Sequence, residues 1–153
     1  MKKIILGLLF AIVNLTLFGQ KISNDKVPAA VASAFKSKFP EVQKVKWEKE
    51  KTEYEANYSL NGAEVSSTFD DLGKWLETET EIKVAELPDA VQQSLKRDYS
   101  GFKINEASRI ESANESKKFE AELEKGGDKF DVVFTPDGKK VSETKIKEKD
   151  KKD

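Results

Sequence analysis

The feature that most constrains this chain is a duplication. Val27, Pro28, Ala29, Ala30, Val31, Ala32, Ser33, Ala34, Phe35 and then Phe39 return as Leu87, Pro88, Asp89, Ala90, Val91, Gln92, Gln93, Ser94, Leu95 and then Tyr99, at an offset of 60. Further on, Tyr54-Glu55-Ala56 and Tyr58 return as Phe119-Glu120-Ala121 and Leu123, and Phe69, Gly73 and Leu76 return as Phe134, Gly138 and Val141, at an offset of 65. An insertion of five residues reconciles the two offsets, and the polar stretch Glu111 to Lys117 is the place for it. A chain copied in this way must fold each half by the same rules and bury equivalent side chains in both.

Those rules are readable. Val27, Val31, Ala34, Phe35 and Phe39 fall at helical spacing, as do Leu87, Val91, Leu95 and Tyr99, with Lys36 and Lys38 on the other side of the first stripe. Pro28 and Pro88 suit the first turn of a helix, where a missing amide costs nothing, and Pro40 and Gly101 stop the two helices. The period then changes to two. Tyr54, Ala56, Tyr58 and Leu60 alternate with Glu53, Glu55, Asn57 and Ser59, and Phe119, Ala121 and Leu123 alternate with Glu120, Glu122 and Glu124. Asn61-Gly62 and Gly126-Gly127 are tight hairpin turns, which set Leu60 opposite Ala63, Tyr58 opposite Val65 and Tyr54 opposite Phe69. Second hairpins follow at Asp70 to Gly73 and Thr135 to Gly138. Segments around Val45 and Trp47, and around Ile104 and Ala107, supply a first strand in each half, with Trp47 expected in the core. The fold class is therefore α+β, a tandem repeat of one helix followed by a four-stranded antiparallel meander (α-β-β-β-β twice).

The ends differ from the body. Lys2 and Lys3, the apolar run Ile4 to Val13, and a fade into Leu17-Phe18-Gly19-Gln20 have the order of a secretory signal peptide, cut after Gly19 or after Gln20; an uncleaved anchor is the competing reading, though only ten residues are unbroken. The expected organisation is a leader over 1–19, a first repeat over 20–84, a second over 85–147 and a charged tail over 148–153. A periplasmic or secreted product with no stable membrane span after cleavage follows.

Composition then removes whole classes of function. The 153 residues hold 27 Lys+Arg against 28 Asp+Glu, with no His and no Cys. Two of the lysines and none of the acids go with the leader, so the remainder is mildly acidic and ill suited to nucleic acid. Without His or Cys there are no disulfides, thiolate or imidazole nucleophiles, or zinc and haem ligands, and no lipid-modified cysteine. Ser33-Ala34-Phe35-Lys36 has Ser-x-x-Lys spacing but no Lys-Thr-Gly downstream, and nothing selects two of the many glutamates as an acid and base pair. Asp70, Asp71 and Asp137 cap turns without the oxygen series of a calcium loop, and no glycine-rich segment opens a helix to hold phosphate. No enzyme, cofactor or metal is expected.

The leader, the paired Val27-Pro28 and Leu87-Pro88 helix starts, the Tyr54-Glu55-Ala56 and Phe119-Glu120-Ala121 strands, and the Phe69 to Trp75 turn with Gly73-Lys74 together resemble the secreted bacterial PepSY-like family, described as beta-lactamase-inhibitor-protein-like. The resemblance implies a non-enzymatic exported protein whose open sheet surface receives a partner.

With the helices on one side of the meander, the outward-alternating residues form the other. The hairpin registers expected above put Glu55, Thr68 and Trp75 in one row, and Glu120, Val133 and Lys140 in its copy. An exposed tryptophan ringed by Glu53, Glu55, Glu77 and Glu79 would anchor a basic partner; the alternative is that Trp75 packs as a core residue. The expected protein-binding set is thus Trp75, Glu55, Thr68, Glu53 and Glu77, with another envelope or extracellular protein or peptide as the partner. A competing reading is a periplasmic carrier holding a small ligand or peptide in a groove between the repeats.

Overall fold

A computed structural model describes residues 19–146. The expected leader, as far as residue 18, and the expected charged tail over 148–153 lie outside the described residues. Nine strands form one continuous antiparallel sheet in chain order: β1 Gln20–Ile22, β2 Lys46–Glu50, β3 Glu53–Leu60, β4 Ala63–Asp70, β5 Trp75–Ile82, β6 Lys103–Ser112, β7 Lys117–Lys125, β8 Asp128–Phe134 and β9 Lys140–Ile146. Helix α1, Ala29–Lys38, follows β1, and helix α2, Asp89–Asp98, follows β5, each after a short 3-10 turn, Asn24–Lys26 and Val84–Glu86.

The ninth strand departs from a plain doubling of one helix and four strands. Ile22 pairs with Trp47, and Ile82 pairs with Ala107, sixty residues on. Gln20 with Lys49 and Thr80 with Arg109 keep the same offset. β1 is therefore the counterpart of the end of β5, and the repeated unit begins one strand before its helix. Three residues with no alternation of their own gave no strand signal, but pairing them covers an edge of β2 that would otherwise be open.

The two cores are equivalent. Val27, Val31, Phe35, Trp47, Tyr54, Ala56, Tyr58, Val65 and Phe69 form one buried cluster beneath α1. Leu87, Val91, Leu95, Ala107, Ala121, Leu123, Val132 and Phe134 form the other beneath α2. Val31 and Val91, Ala56 and Ala121, and Phe69 and Phe134 are all fully buried. Phe35 is the hub of the first cluster, with its ring centroid 5.3 Å from Trp47, 5.2 Å from Tyr58 and 6.2 Å from Phe69 in edge-on contacts. The second cluster replaces Phe35, Trp47 and Tyr58 by Leu95, Ala107 and Leu123, and draws Phe102 and Phe130 toward the space.

The first hairpin pairs Leu60 with Ala63, Tyr58 with Val65 and Tyr54 with Phe69, as the Asn61-Gly62 turn requires. The five inserted residues do not all enter the turn. Part of them lengthens β6 to ten residues against five in β2, and Ala113 to Ser116 make the connection.

The turns between β4 and β5, and between β8 and β9, clasp the helices. Gly73 and Gly138 have φ of 83° and 81°. A Cβ on Gly73 would stand 2.6 Å from the Ala30 carbonyl oxygen, and one on Gly138 would run into the Ala90 carbonyl and the Ser94 hydroxyl. Ser94 donates to the Gly138 carbonyl at 2.7 Å, completing the second clasp. Gly62 has a similar φ of 85° but open space where a Cβ would go. Gly62→Ala should therefore cost about 1–2 kcal/mol from backbone strain alone. Gly138→Ala should cost clearly more, about 2–4 kcal/mol, because strain and collision combine. Urea unfolding of the two variants side by side checks the difference.

Candidate functional site

Both helices lie on one side of the sheet, and the residue parity of the strands decides what the other side carries. Each strand from β2 to β8 places at least one carboxylate there: Glu48, Glu55, Glu64, Glu79, Glu106, Glu120 and Asp131. Exposed cations are plentiful on the helices instead, as with Lys36, Lys38, Lys96 and Arg97. The protein is nearly neutral, and on the open face carboxylates outnumber the lysines, which include Lys46, Lys103, Lys118 and Lys129.

The expected row on the open face forms in part. Glu48, Glu55, Thr68, Glu77 and Ser112 run across β2 to β6 in register. Glu53 sits in the next row, opposite Asp70. Trp75 is not in the row. The Asp70 carboxylate accepts from the amides of Leu72 at 3.0 Å and Lys74 at 2.8 Å, and the Asp70 amide donates to the Lys74 carbonyl at 3.0 Å. This closes the turn at Asp70 and Lys74, so Trp75 pairs with Phe69 and a bulge follows before Glu77 pairs with Thr68. Trp75 thus shares the helix side with Phe69, where it packs against the first core. Its indole Nε1 donates to Thr78 Oγ1 at 2.9 Å, and Lys38 Nζ lies 3.7 Å from its ring centroid. A chain of hydroxyls continues from Thr78 through Ser67 at 2.8 Å to Tyr58 at 2.9 Å. The same bulge recurs in the second half, so Lys140 pairs with Phe134 and Ser142 takes the place opposite Val133.

The densest part of the open face was not legible from either half alone. It lies where β5 of the first half pairs with β6 of the second. Ser108 on β6 pairs with Glu81 on one side and Glu120 on the other, and Glu106 pairs with Glu122. Ile110 and Val133 also point to this face, and both are buried although neither belongs to a helix-side core. Ile110 stands directly opposite Glu79, and Val133 directly opposite Glu120. Two hollows lie on this face. One, of about 230 Å³, is floored by Asn57, Ser66 and Ser108 and rimmed by Glu55, Glu79, Glu81 and Glu106. The other, of about 190 Å³, runs from Glu48 and Glu50 through Thr68 to Glu77, and shares Glu55, Ser66 and Glu79 with the first.

Crowding and poor hydration change how these carboxyls titrate. Burial, reinforced by Glu79 and Asp131, pushes Glu120 up to about 8. Burial, with Glu122 and Glu79, pushes Asp131 up to about 6. Glu79 is raised by burial and by Glu77 and Glu106, against a hydrogen bond from Ser108. Glu55 and Glu77 are raised chiefly by burial as well. Glu122 is the contrast: burial raises it, but hydrogen bonds from Lys129 at 2.8 Å and Asn105 at 2.9 Å prevail and hold it below the usual carboxylate range. Glu122, which finds a cation, is held toward its ionised form, and Glu120, which does not, toward its protonated one.

No group of three or more acidic, His or Cys residues among the described residues has the spacing to hold a metal ion. No helix among them is long and apolar enough to cross a membrane. A hollow of about 300 Å³ beside α2 is lined by Leu95, Tyr99, Phe102 and Ile104, all of the second half.

The class the structure defines is an α+β protein, a single antiparallel sheet with two helices on one face and the other face uncovered. The chain belongs to the PepSY-like, beta-lactamase-inhibitor-like family, whose profile matches it over residues 17–66 and 54–141. A BLIP-like protein of Bacteroides fragilis is 29% identical, with a TM-score of 0.67 over 82% of this chain and 92% of its own. A DUF2874 family protein of Bacteroides uniformis, 24% identical, has the same fold at a TM-score of 0.72 over 78% of this chain and 89% of its own. A third, from Bacteroides eggerthii and described among "putative periplasmic proteins", is 21% identical with a TM-score of 0.73 over the same shares. No curated protein matches the chain.

The raised carboxyls set the sign of the pH dependence. A carboxyl whose folded pKa exceeds its unfolded value gives stability that is fully present below the unfolded value and lost as the pH rises through the folded one. For Glu120 that window runs from about 4.3 in the unfolded chain to about 8. The melting temperature should therefore fall between pH 5 and pH 9, and Glu120→Gln should flatten that slope. Differential scanning calorimetry across the range measures both.

Proposed function

We propose that the protein is an exported, non-enzymatic binding protein that contacts another envelope or extracellular protein through the uncovered face of its sheet. The observation that carries this reading is the one-sided architecture. Two helices bury one face of nine strands, while the other keeps hollows, a buried Ile110 and Val133, and a field of carboxylates. Carboxyls whose pKa is raised by burial and by their neighbours, as at Glu79, Glu120 and Asp131, cluster at functional sites more than on plain solvated faces. The relatives support the same reading: one is described as BLIP-like and another as periplasmic, and export agrees with the leader-like first nineteen residues. Within this reading the two repeats lie over 20–84 and 85–147 with the end of β5 shared by both, Glu55, Thr68, Glu53 and Glu77 are among the contacting residues, and Trp75 supports them from the helix side.

Affinity capture from the envelope fraction tests it. Ser66→Arg on the open face should lose the captured partner, because it fills the shared wall of both hollows. Ser33→Arg on the exposed side of α1 should keep it. Loss with Ser33→Arg and retention with Ser66→Arg would move the interface to the helices.

A further inference from the structure

The open face also specifies the chemistry of what it binds. We propose that the partner is cationic, and that the seat for its arginine or lysine side chains is the hollow between Glu79 and Glu106, at the junction of the two halves. This inference rests on the binding reading above and adds the identity of the contacting groups.

Three observations converge there. The first is the rim and floor of the hollow: carboxylates of Glu55, Glu79, Glu81 and Glu106 stand around the small polar side chains of Asn57, Ser66 and Ser108. About 230 Å³ is room for a guanidinium and part of its stem, and hydroxyl floors with carboxylate rims match its fork of donors. The second is the flank. Ile110 stands directly opposite Glu79 on the same face and is itself buried, and poor hydration beside a carboxylate strengthens its attraction for a cation. The third is the shortage of local cations. The charged groups facing Glu79 and Glu120 are Glu55 on β3, Glu77 on the strand of Glu79, Glu106 on β6, Lys118 and Glu122 on β7, and Asp131 and Lys129 on β8. Of the two lysines, Lys129 is held by Glu122 at 2.8 Å. Lys118 faces Glu77 and does not line the hollow. Like charges have been gathered and then left short of counter-charge, which an incoming cation corrects.

Binding of a cation should also expel protons. Glu120, held up to about 8, is largely protonated at neutral pH, and a cation beside it favours the ionised form. The affinity should therefore rise with pH across the neutral range and weaken with salt.

Octa-arginine is a suitable probe, titrated calorimetrically at pH 7 in two buffers of different ionisation heat, with octa-glutamate as control. The expected result is binding of octa-arginine alone, with a buffer-dependent heat that reports proton release. Glu79→Gln with Glu106→Gln should weaken it by roughly tenfold, and Asp89→Asn with Asp137→Asn, an equal charge change on the helix side, by about twofold or less. Both pairs remove charge without removing volume, and melting curves confirm that each variant is folded. Equal losses from the two pairs, or binding without proton release, would overturn the proposal. If octa-arginine fails to bind while Ser66→Arg still abolishes envelope capture, the cationic assignment falls and the binding face stands. If neither holds, both readings fall.

Discussion

Everything in this molecule depends on strand parity. With a side-chain period of two, each hairpin either turns all of its large apolar residues to one side or ruins the core. The Asn61-Gly62 turn aligns Tyr54, Tyr58, Val65 and Phe69, and the Gly126-Gly127 turn aligns their copies. Two helices then suffice to cover one face, held by the glycine turns pressed against Ala30 and Ala90. The sorting that makes the core also fixes the composition of the opposite face, since whatever is not apolar is turned there. Here carboxylates predominate, with Lys46, Lys103, Lys118 and Lys129 interspersed.

The duplication explains both the regularity and the novelty. Each half alone would leave an edge strand exposed and a small core of marginal stability. Joining them makes β5 the last strand of one unit and the first of the next, so the sheet is continuous. It also brings Glu77 and Glu79 against Glu106 and Glu120, a cluster that neither copy contains. In the first unit β1 takes the place that the end of β5 takes in the second. Function and fold thus share an origin: the most crowded carboxyls lie where the copies meet.

Much of the fold was legible because it rests on local rules. Helix stripes, the first hairpin registers and the burial of Trp47 follow from periodicity and turn chemistry, and the coordinates agree with them. The misplacement of Trp75 has a local cause too. A single aspartate, Asp70, tightens its turn by one residue, and that reverses the face of the next side chain. The sequence pattern contains the aspartate but not the number of amides it will accept. The junction cluster was illegible for another reason. Alternating glutamates read as a wet face in each strand, and only the pairing of β5 with β6 and the burial of Ile110 and Val133 show that part of that face is poorly hydrated.

The account stands most directly on the crowding of these carboxyls, which site-resolved titration by NMR of the glutamate side-chain carbons can read. It predicts a midpoint for Glu120 near 8, with Glu122 titrating below the usual carboxylate range under the hold of Lys129 and Asn105. Midpoints for Glu120 and Glu122 that coincide near the ordinary value of about 4.3 would contradict it, and would reduce the open face to a solvated surface.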